Sequence, residues 1–303
     1  MNGHWSEQGE RSNRLMQTLL VWIALKLGRR SARLILYPTA AYFLLFHGSA
    51  RRASQNYLRK VLGRTPRWRE VFQHFLTFGT VSVDRLFFLS GRFEEFDIAL
   101  AGQELFGPLR ANQQGALLLV AHLGSFDAMR VLGAREGTLP LKIVLDRRHN
   151  ARAATLLDAL DPALAANIID AGRPAPELVL ALDDCLKNGA MVGIMADRAR
   201  RDERVQAVPF FGEPAHFPLG PWQLALSLKV PVILCCGLYR GGKRYSLHFE
   251  TLSPGIAAAR GQRGEVLGRH LAHYAARLEH YARLAPYNWF NFYDFWSHAA
   301  PDD

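Results

Sequence analysis

The chain has 303 residues and 49% of them are apolar, so it can bury a substantial core as one large domain or two small ones. Its formal net charge of +10 is concentrated at one end. Residues 1–69 carry thirteen Lys and Arg against two acidic residues, whereas the remaining chain carries 24 basic and 25 acidic residues. No nucleic-acid-binding motif accompanies this basic end, so we expect no nucleic acid partner. Three cysteines form neither a CxxC motif nor a disulfide framework, which is typical of a reducing compartment.

The basic end is also strongly apolar. Residues 15–27 and 34–46 form two apolar runs, separated by a break that contains Arg29, Arg30 and Arg33. A helix that spans a bilayer needs roughly twenty apolar residues, so neither run is long enough alone. We interpret residues 1–50 as a hydrophobic anchor in an anionic membrane surface, followed by a single α/β domain over residues 51–303. The alternative is two core helices joined by a solvated basic loop.

Short apolar runs alternate with helical stretches from residue 115 onward. Four runs are nearly continuous in apolar residues, which is typical of strands buried on both faces: 116–121, 141–145, 191–195 and 230–236. The sequence therefore predicts an α/β fold, with a mostly parallel central sheet covered by helices and with N-terminal hydrophobic anchor helices. The alternating segment at 245–252 indicates an edge strand, and the apolar stripe within 265–284 predicts a final amphipathic helix.

The sequence around His122 carries the strongest chemical signal. An apolar strand ends at Ala121, so His122 lies at the carboxyl end of a strand, where ligands bind in such folds. A histidine there is suited to general-base catalysis near neutral pH. With His122 in the loop and Asp127 in the first helical turn, the carboxylate can fold back and hold the imidazole.

The residues between this histidine and aspartate also suit a reaction site. We expect Ser125 to cap the following helix, and the amides around Gly124–Phe126 to bind a developing oxyanion at its N-terminus. The alternative is a Ser/Asp cap beside an incidental histidine. No Gly-x-Ser-x-Gly elbow surrounds Ser125, which argues against a hydrolase.

His122 and Asp127 match the HxxxxD signature of the lysophospholipid acyltransferase superfamily. Further blocks follow in order, LKIVLDRRHNARAATLLD and then MVGIMADRARRDERVQAVPFFGEPAHF, with a glycine, a helix and an apolar strand after them. The whole pattern, over about residues 15–296, resembles the bacterial lipid A biosynthesis acyltransferases, the late lauroyl and myristoyl transferases. The ordered set with Pro-Phe-Phe-Gly is more specific than the HxxxxD spacing alone.

This resemblance implies an enzyme in which His122, supported by Asp127, deprotonates an acceptor hydroxyl or amine. The acceptor then attacks the thioester of an acyl carrier protein or of coenzyme A. Phe210 and Phe211 are candidates for lining an acyl tunnel, and substrate-binding candidates are Gly124, Ser125, Arg147, Arg148, Asp197, Arg198 and Gly220. Asp197 and Arg198 are candidates for the wall of the site. The plain structural alternatives include a solvated basic pair for Arg147 and Arg148, a turn glycine for Gly220 and an aromatic core for the phenylalanines. No Cys/His cluster or Walker loop is present in the sequence, so we expect no metal ion and no cofactor.

The end of the chain departs from the lipid A branch, whose members typically end in an aromatic stretch with basic residues. Residues 286–296 are aromatic without basic residues. The resemblance therefore leaves the acceptor open between a lipid A-type glycolipid and another lipid, as in divergent members associated with aryl-polyene-type pigments. It implies attachment to the cytoplasmic face of a bacterial inner membrane. Two alternatives stay open: a glycerophospholipid acyltransferase that uses acyl-coenzyme A, and a non-catalytic lipid-binding protein.

Overall fold

A computed structural model describes residues 14–131, 140–147, 155, 158–199 and 203–296. The described helices include α1 (Arg14–Phe46), α2 (Gly48–Leu62), α3 (Trp68–Leu89), α4 (Phe106–Ala111), α5 (Pro162–Ala165), α6 (Ala175–Lys187), α7 (Gly220–Leu228) and α8 (Arg263–Leu284). The strands are β1 (Asp97–Ala101), β2 (Ala116–Val120), β3 (Leu141–Leu145), β4 (Ile168–Asp170), β5 (Met191–Met195), β6 (Val205–Phe210), β7 (Glu213–Pro218), β8 (Val232–Tyr239) and β9 (Arg244–Ser253). Arg148 lies outside the described residues.

One sheet forms the centre of the fold, with the strand order β1-β9-β8-β2-β5-β3-β4. Its neighbouring strands are parallel except for β8 and β9, so the predicted α/β fold with a mostly parallel sheet is confirmed. β2 and β8 are buried along their whole length, as their unbroken apolar runs predict. The prediction of an edge strand at 245–252 is wrong, because the short strand β1 pairs with the outer side of β9.

The final amphipathic helix predicted from sequence is α8. The stripe that carries Leu271, Tyr274 and Leu278 is buried, because it packs into the main hydrophobic core against the sheet and the β6–β7 hairpin. The same core takes in side chains from α1, α2 and α3. The helices thus pack on the sheet and share one hydrophobic core with it.

The N-terminal helix α1 has two different faces. It is interrupted at Gly28, whose backbone (φ 82°, ψ 171°) is not helical and which lies in the predicted basic break. Beyond this point Ala32 and Leu36 are buried in the main core, whereas Leu34 and Phe46 are 72% and 71% exposed. In the described part of the chain, no helix is long and apolar enough to cross a bilayer. The domain boundary near residue 50 stays a prediction.

Arg29, which we expected at a membrane surface, is buried inside the protein. Its Nε and Nη2 donate to the two carboxylate oxygens of Asp84 at 2.5 and 2.7 Å. The hydroxyl of Tyr245 donates to the same carboxylate at 2.7 Å. Removing one partner of a buried ion pair costs roughly 3–5 kcal/mol, because the remaining charge is left uncompensated. The network therefore fastens α1 to α3 and to β9.

His74 on α3 forms a second buried polar link. Its Nε2 lies 2.9 Å from the carbonyl oxygen of Trp289, and its Nδ1 lies 2.9 Å from Oγ of Ser54. Because a carbonyl only accepts, Nε2 carries the hydrogen and Nδ1 accepts from the serine. Burial lowers the pKa of His74 to about 4, against an opposing effect of the Trp289 carbonyl.

This burial predicts that His74 makes the fold sensitive to acid. In the unfolded chain its pKa is near 6.5, so the unfolded state takes up the proton first as the pH falls. The free energy of unfolding should therefore decline between pH 6.5 and 4, with up to roughly 3 kcal/mol from this residue. Urea denaturation at several pH values should show a shallower decline for His74→Gln than for the unchanged protein. Parallel declines would contradict the prediction.

Candidate active site

Two polar residues follow neighbouring strands at the same distance. β2 and β5 are parallel, with Val120 opposite Met195. His122 lies two residues after the first of these and Asp197 two residues after the second, so the register places them side by side. Nδ1 of His122 is 2.8 Å from Oδ1 of Asp197, and the backbone N–H of His122 donates to Oδ2 at 3.0 Å.

The carboxylate of Asp197 is fully buried and accepts several hydrogen bonds. Besides His122, Nε1 of Trp289 and Nδ2 of Asn291 donate to Oδ2 at 3.2 and 3.4 Å. Burial alone would raise the pKa of Asp197, but the imidazole, its hydrogen bonds and Arg198 together lower it to about 2. Asp197 is therefore ionised at neutral pH and only accepts hydrogen bonds.

This carboxylate determines the state of His122. Because Asp197 only accepts, Nδ1 of His122 carries the hydrogen, and the lone pair is on Nε2. Burial and the positive charge of Arg198 lower the pKa of His122 below its ordinary value, although Asp197 opposes them. The imidazole is therefore neutral near pH 7. The side chain of His122 is 30% exposed, so a substrate can reach the imidazole.

The structure does not bring Asp127 to the imidazole. Asp127 begins a short 3₁₀ turn, and its Oδ2 lies 3.0 Å from Nε of Arg85 on α3. Among the described residues, the carboxylate on Nδ1 of His122 is that of Asp197, which we had expected only as a site wall. The loop is tied to β8 and to the C-terminal segment, and the turn that follows it packs against α3. Asp127 is therefore aimed at Arg85.

Gly124 and Ser125 serve the packing of this loop. The amide of Gly124 donates to the carbonyl of Asn288 at 2.8 Å, and that of Ser125 to the carbonyl of Gly237 at 2.7 Å. Oxyanion binding by the amides around Gly124–Phe126 stays a prediction, and two of these donors already have acceptors within the protein. Oγ of Ser125 accepts from the amide of Ala128 at 3.2 Å, which is the capping contact that the sequence predicted.

Arg198 binds the C-terminal segment and does not point into an open part of the site. Its Nε donates to Oδ1 of Asn291 at 2.5 Å, and its Nη2 donates to the carbonyl of Phe290 at 2.6 Å. The guanidinium also lies over the ring of Tyr293. Its positive charge still acts on His122, as the lowered pKa of the imidazole shows.

Arg147 and Gly220 face other protein groups. Nη2 of Arg147 donates to the carbonyl of Ala165 at 3.1 Å, and Nη1 lies 3.5 Å from Oδ1 of Asp158. Both contacts draw the guanidinium away from β2, toward the β4 side of the sheet. A Cβ at Gly220 would come within 2.5 Å of Oε1 of Glu203, so a carboxylate of the protein lies beside this substrate-binding candidate. Binding of substrate by either residue stays a prediction.

The Pro-Phe-Phe-Gly block is the turn of the β6–β7 hairpin. Phe211 and Gly212 have φ values of 52° and 80°, as a two-residue turn of the favoured hairpin type requires. Phe210 is fully buried among aromatic rings, which belong to Phe211, Phe217, Trp289, Phe295 and Trp296. The acyl tunnel stays a prediction, and this packing favours the aromatic-core alternative.

Residues 286–296 cover the end of β2 and the His122 loop that follows it. Leu123 forms an antiparallel bridge with Trp289, and the amide of Phe290 donates to the carbonyl of His122 at 2.8 Å. The side chain of Asn288 bonds both backbone groups of Tyr239 on β8. Asn288 and Asn291 lie within a run of aromatic residues. Because buried amides need hydrogen-bond partners, these two residues were the sequence signal that the segment packs against other backbone and polar groups.

The close approach of this loop to β8 predicts a strict need for Gly124. A Cβ there would lie 1.9 Å from the carbonyl oxygen of Gly237, and its φ of 70° is also unfavourable for other residues. We expect Gly124→Ala to lower the free energy of unfolding by more than about 3 kcal/mol. Gly91→Ala is the matched control, because Gly91 has a φ of 72° and nothing within 4 Å. It should cost only roughly 1–2 kcal/mol. Equal losses in chemical denaturation would contradict a steric role for Gly124.

Comparison with known proteins finds a family match. The sequence matches a family described as Bacterial lipid A biosynthesis acyltransferase over residues 14–293, which contain every candidate site residue. A search of curated proteins finds no match. Because the family match covers most of the chain, the protein belongs to the bacterial lipid A biosynthesis acyltransferase family.

Proposed function

We propose that this acyltransferase of the lipid A biosynthesis type uses His122 as its general base, with Asp197 fixing the imidazole. In this proposal it moves a fatty acyl group from an acyl thioester, carried by acyl carrier protein or coenzyme A, to a hydroxyl of a membrane lipid or glycolipid. The observation that carries the proposal is the 2.8 Å contact between Nδ1 of His122 and Oδ1 of Asp197 at the carboxyl ends of adjacent strands.

Chemically, this contact prepares Nε2 to accept a proton. As the acceptor hydroxyl attacks the thioester carbon, its proton moves to Nε2 and the carbonyl π electrons move onto the oxygen. The ionised carboxylate stabilises the imidazolium that forms, without taking its proton. When the oxyanion collapses, the carbon–sulfur bond breaks and the sulfur leaves with the proton from Nε2. The products are an ester and a thiol, and His122 is neutral again.

The proposal predicts that removing the imidazole of His122 greatly lowers turnover. With a total bacterial lipid extract and either myristoyl-acyl carrier protein or myristoyl-coenzyme A, His122→Ala should lower turnover by roughly 10²–10⁴. His273→Ala is the control, because His273 is exposed on α8. Mass spectrometry should detect a lipid heavier by one acyl chain with the control and with the unchanged protein. Wild-type turnover by His122→Ala would overturn the general base, and lipid binding without turnover would favour a lipid-binding protein.

We further propose that the protein sits at the cytoplasmic face of the inner membrane through α1. The face of α1 that points away from the core exposes Leu34, Leu45 and Phe46 by 72%, 65% and 71%. Arg30 on the same helix is exposed and can meet anionic headgroups. An amphipathic helix held on a folded domain needs no transmembrane span to bind a bilayer.

This proposal predicts that membrane binding depends on apolar side chains more than on charge. Transferring two leucines contributes at least roughly 3 kcal/mol, or about a hundredfold in the partition coefficient. Leu34→Glu with Leu45→Glu should therefore reduce sedimentation with phosphatidylglycerol-containing vesicles by about that factor. The control pair is Leu180→Glu with Leu284→Glu, which exchanges two exposed leucines on other helices. Release of the unchanged protein by 1 M salt, or equal losses in both pairs, would contradict the proposal.

A further inference from the structure

Acyl transfer needs a group that stabilises the oxyanion formed on the thioester carbonyl. The amides of Gly124 and Ser125 already donate to backbone carbonyls. The guanidinium of Arg198 donates through Nε and Nη2 to the C-terminal segment. These donors hold the loop and that segment in place, so their present contacts would have to break before they could bind an oxyanion.

Arg85 on α3 has hydrogen-bond donors that the protein does not use. Its guanidinium makes no hydrogen bond to any described residue, and its Nε is buried without an acceptor in hydrogen-bond geometry, although Oδ2 of Asp127 is 3.0 Å away. The contact with Asp127 is thus an ion pair and not a hydrogen bond. The side chain is 34% exposed, so a substrate can reach it. Its charge also acts on His122, since it contributes to lowering the pKa of the imidazole.

We infer that Arg85 is a catalytic residue that binds the oxyanion of the tetrahedral intermediate, and that Asp127 is a positioning residue that holds Arg85. This inference rests on the proposed function and deepens it. The guanidinium has five N–H donors in a planar fork, so an ion pair on its Nε side leaves both Nη groups for the substrate. Asp127 compensates the charge of Arg85 in the free enzyme.

Arg85 acts only on the negative charge that develops on the carbonyl oxygen during the attack. As the acceptor oxygen bonds to the thioester carbon, the π pair becomes a lone pair on oxygen, and the guanidinium stabilises that negative charge. Collapse returns the pair to the carbonyl and expels the sulfur. Arg85 keeps its proton throughout, because proton transfer belongs to Nε2 of His122.

The test compares Arg85→Gln with Arg92→Gln in the full-length protein. Arg92 is a matched control because it is 37% exposed and forms an ion pair with Glu95. With the lipid extract and myristoyl donors, Arg85→Gln should lower kcat by roughly 10²–10³, the usual effect of losing one oxyanion donor, and KM should stay within about twofold. Arg92→Gln should match the unchanged protein. Arg85→Lys should regain about tenfold over Arg85→Gln, because it keeps the charge without the planar fork.

Asp127→Asn separates the positioning role from a direct role. If Asp127 acts through Arg85, Asp127→Asn should lower kcat when it is the only substitution. In the Arg85→Gln background it should change kcat by less than about twofold. A full additional loss in that background would overturn the positioning role. Thermal unfolding checks that each variant is folded, and if Arg85→Gln is not, Arg85→Lys with a kcat at least tenfold below the unchanged protein supports the inference.

Other outcomes overturn the role of Arg85 and leave the proposed function intact. Wild-type kcat in Arg85→Gln, or in Arg85→Lys if only that variant folds, would remove Arg85 from catalysis. A rise in KM for the lipid extract with unchanged kcat would show that Arg85 binds an anionic group of the acceptor instead. In both cases His122→Ala would still be inactive, whereas failure of the proposed function would leave His122→Ala active.

Discussion

The buried carboxylate of Asp197 joins parts of the chain that are distant in sequence. It accepts hydrogen bonds from His122, 75 residues earlier, and from Trp289 and Asn291, 92 and 94 residues later. A buried charge is costly unless hydrogen bonds and opposite charges offset the loss of water. The N–H donors that compensate Asp197 are those that orient the imidazole and place the C-terminal segment. The orientation of His122 and the position of the C-terminal segment beside it therefore share one electrostatic cause.

α3 is the second element on which the site depends, through two adjacent residues. Asp84 points into the core and binds Arg29 and Tyr245, whereas Arg85 points toward the His122 loop and pairs with Asp127. Successive residues on a helix are about 100° apart, so one turn of α3 reaches both sides. The contact that fastens the N-terminal helix to the sheet and the contact that positions Arg85 thus lie on the same helical turn.

Much of the fold could be predicted from sequence because the relevant patterns are local. Unbroken apolar runs identified the central strands, and the strand end at Ala121 identified His122 as a loop histidine. Its partner could not be found in the same way, because Asp197 is adjacent only through the pairing of β2 with β5. The HxxxxD spacing instead indicated Asp127, which is near His122 in the sequence. Equal offsets of His122 and Asp197 from their strand ends were the clue, but using it requires the strand order. Arg85 gave no local signal, because its contact with Asp127 joins residues that are 42 positions apart in the sequence.

The position of the C-terminal segment in the sequence determines when the contacts around Asp197 can form during synthesis. Residues 286–296 follow the last strand and α8, yet Trp289 and Asn291 supply two of the donors to Asp197. Contacts between distant parts of a chain form late, because a long loop has to close first. A nascent chain that has already formed its sheet on the ribosome therefore still holds a poorly compensated carboxylate and a loosely held imidazole. The hydrogen bonds that compensate Asp197 are therefore complete only after translation has passed residue 291 and this last segment has packed against the His122 loop.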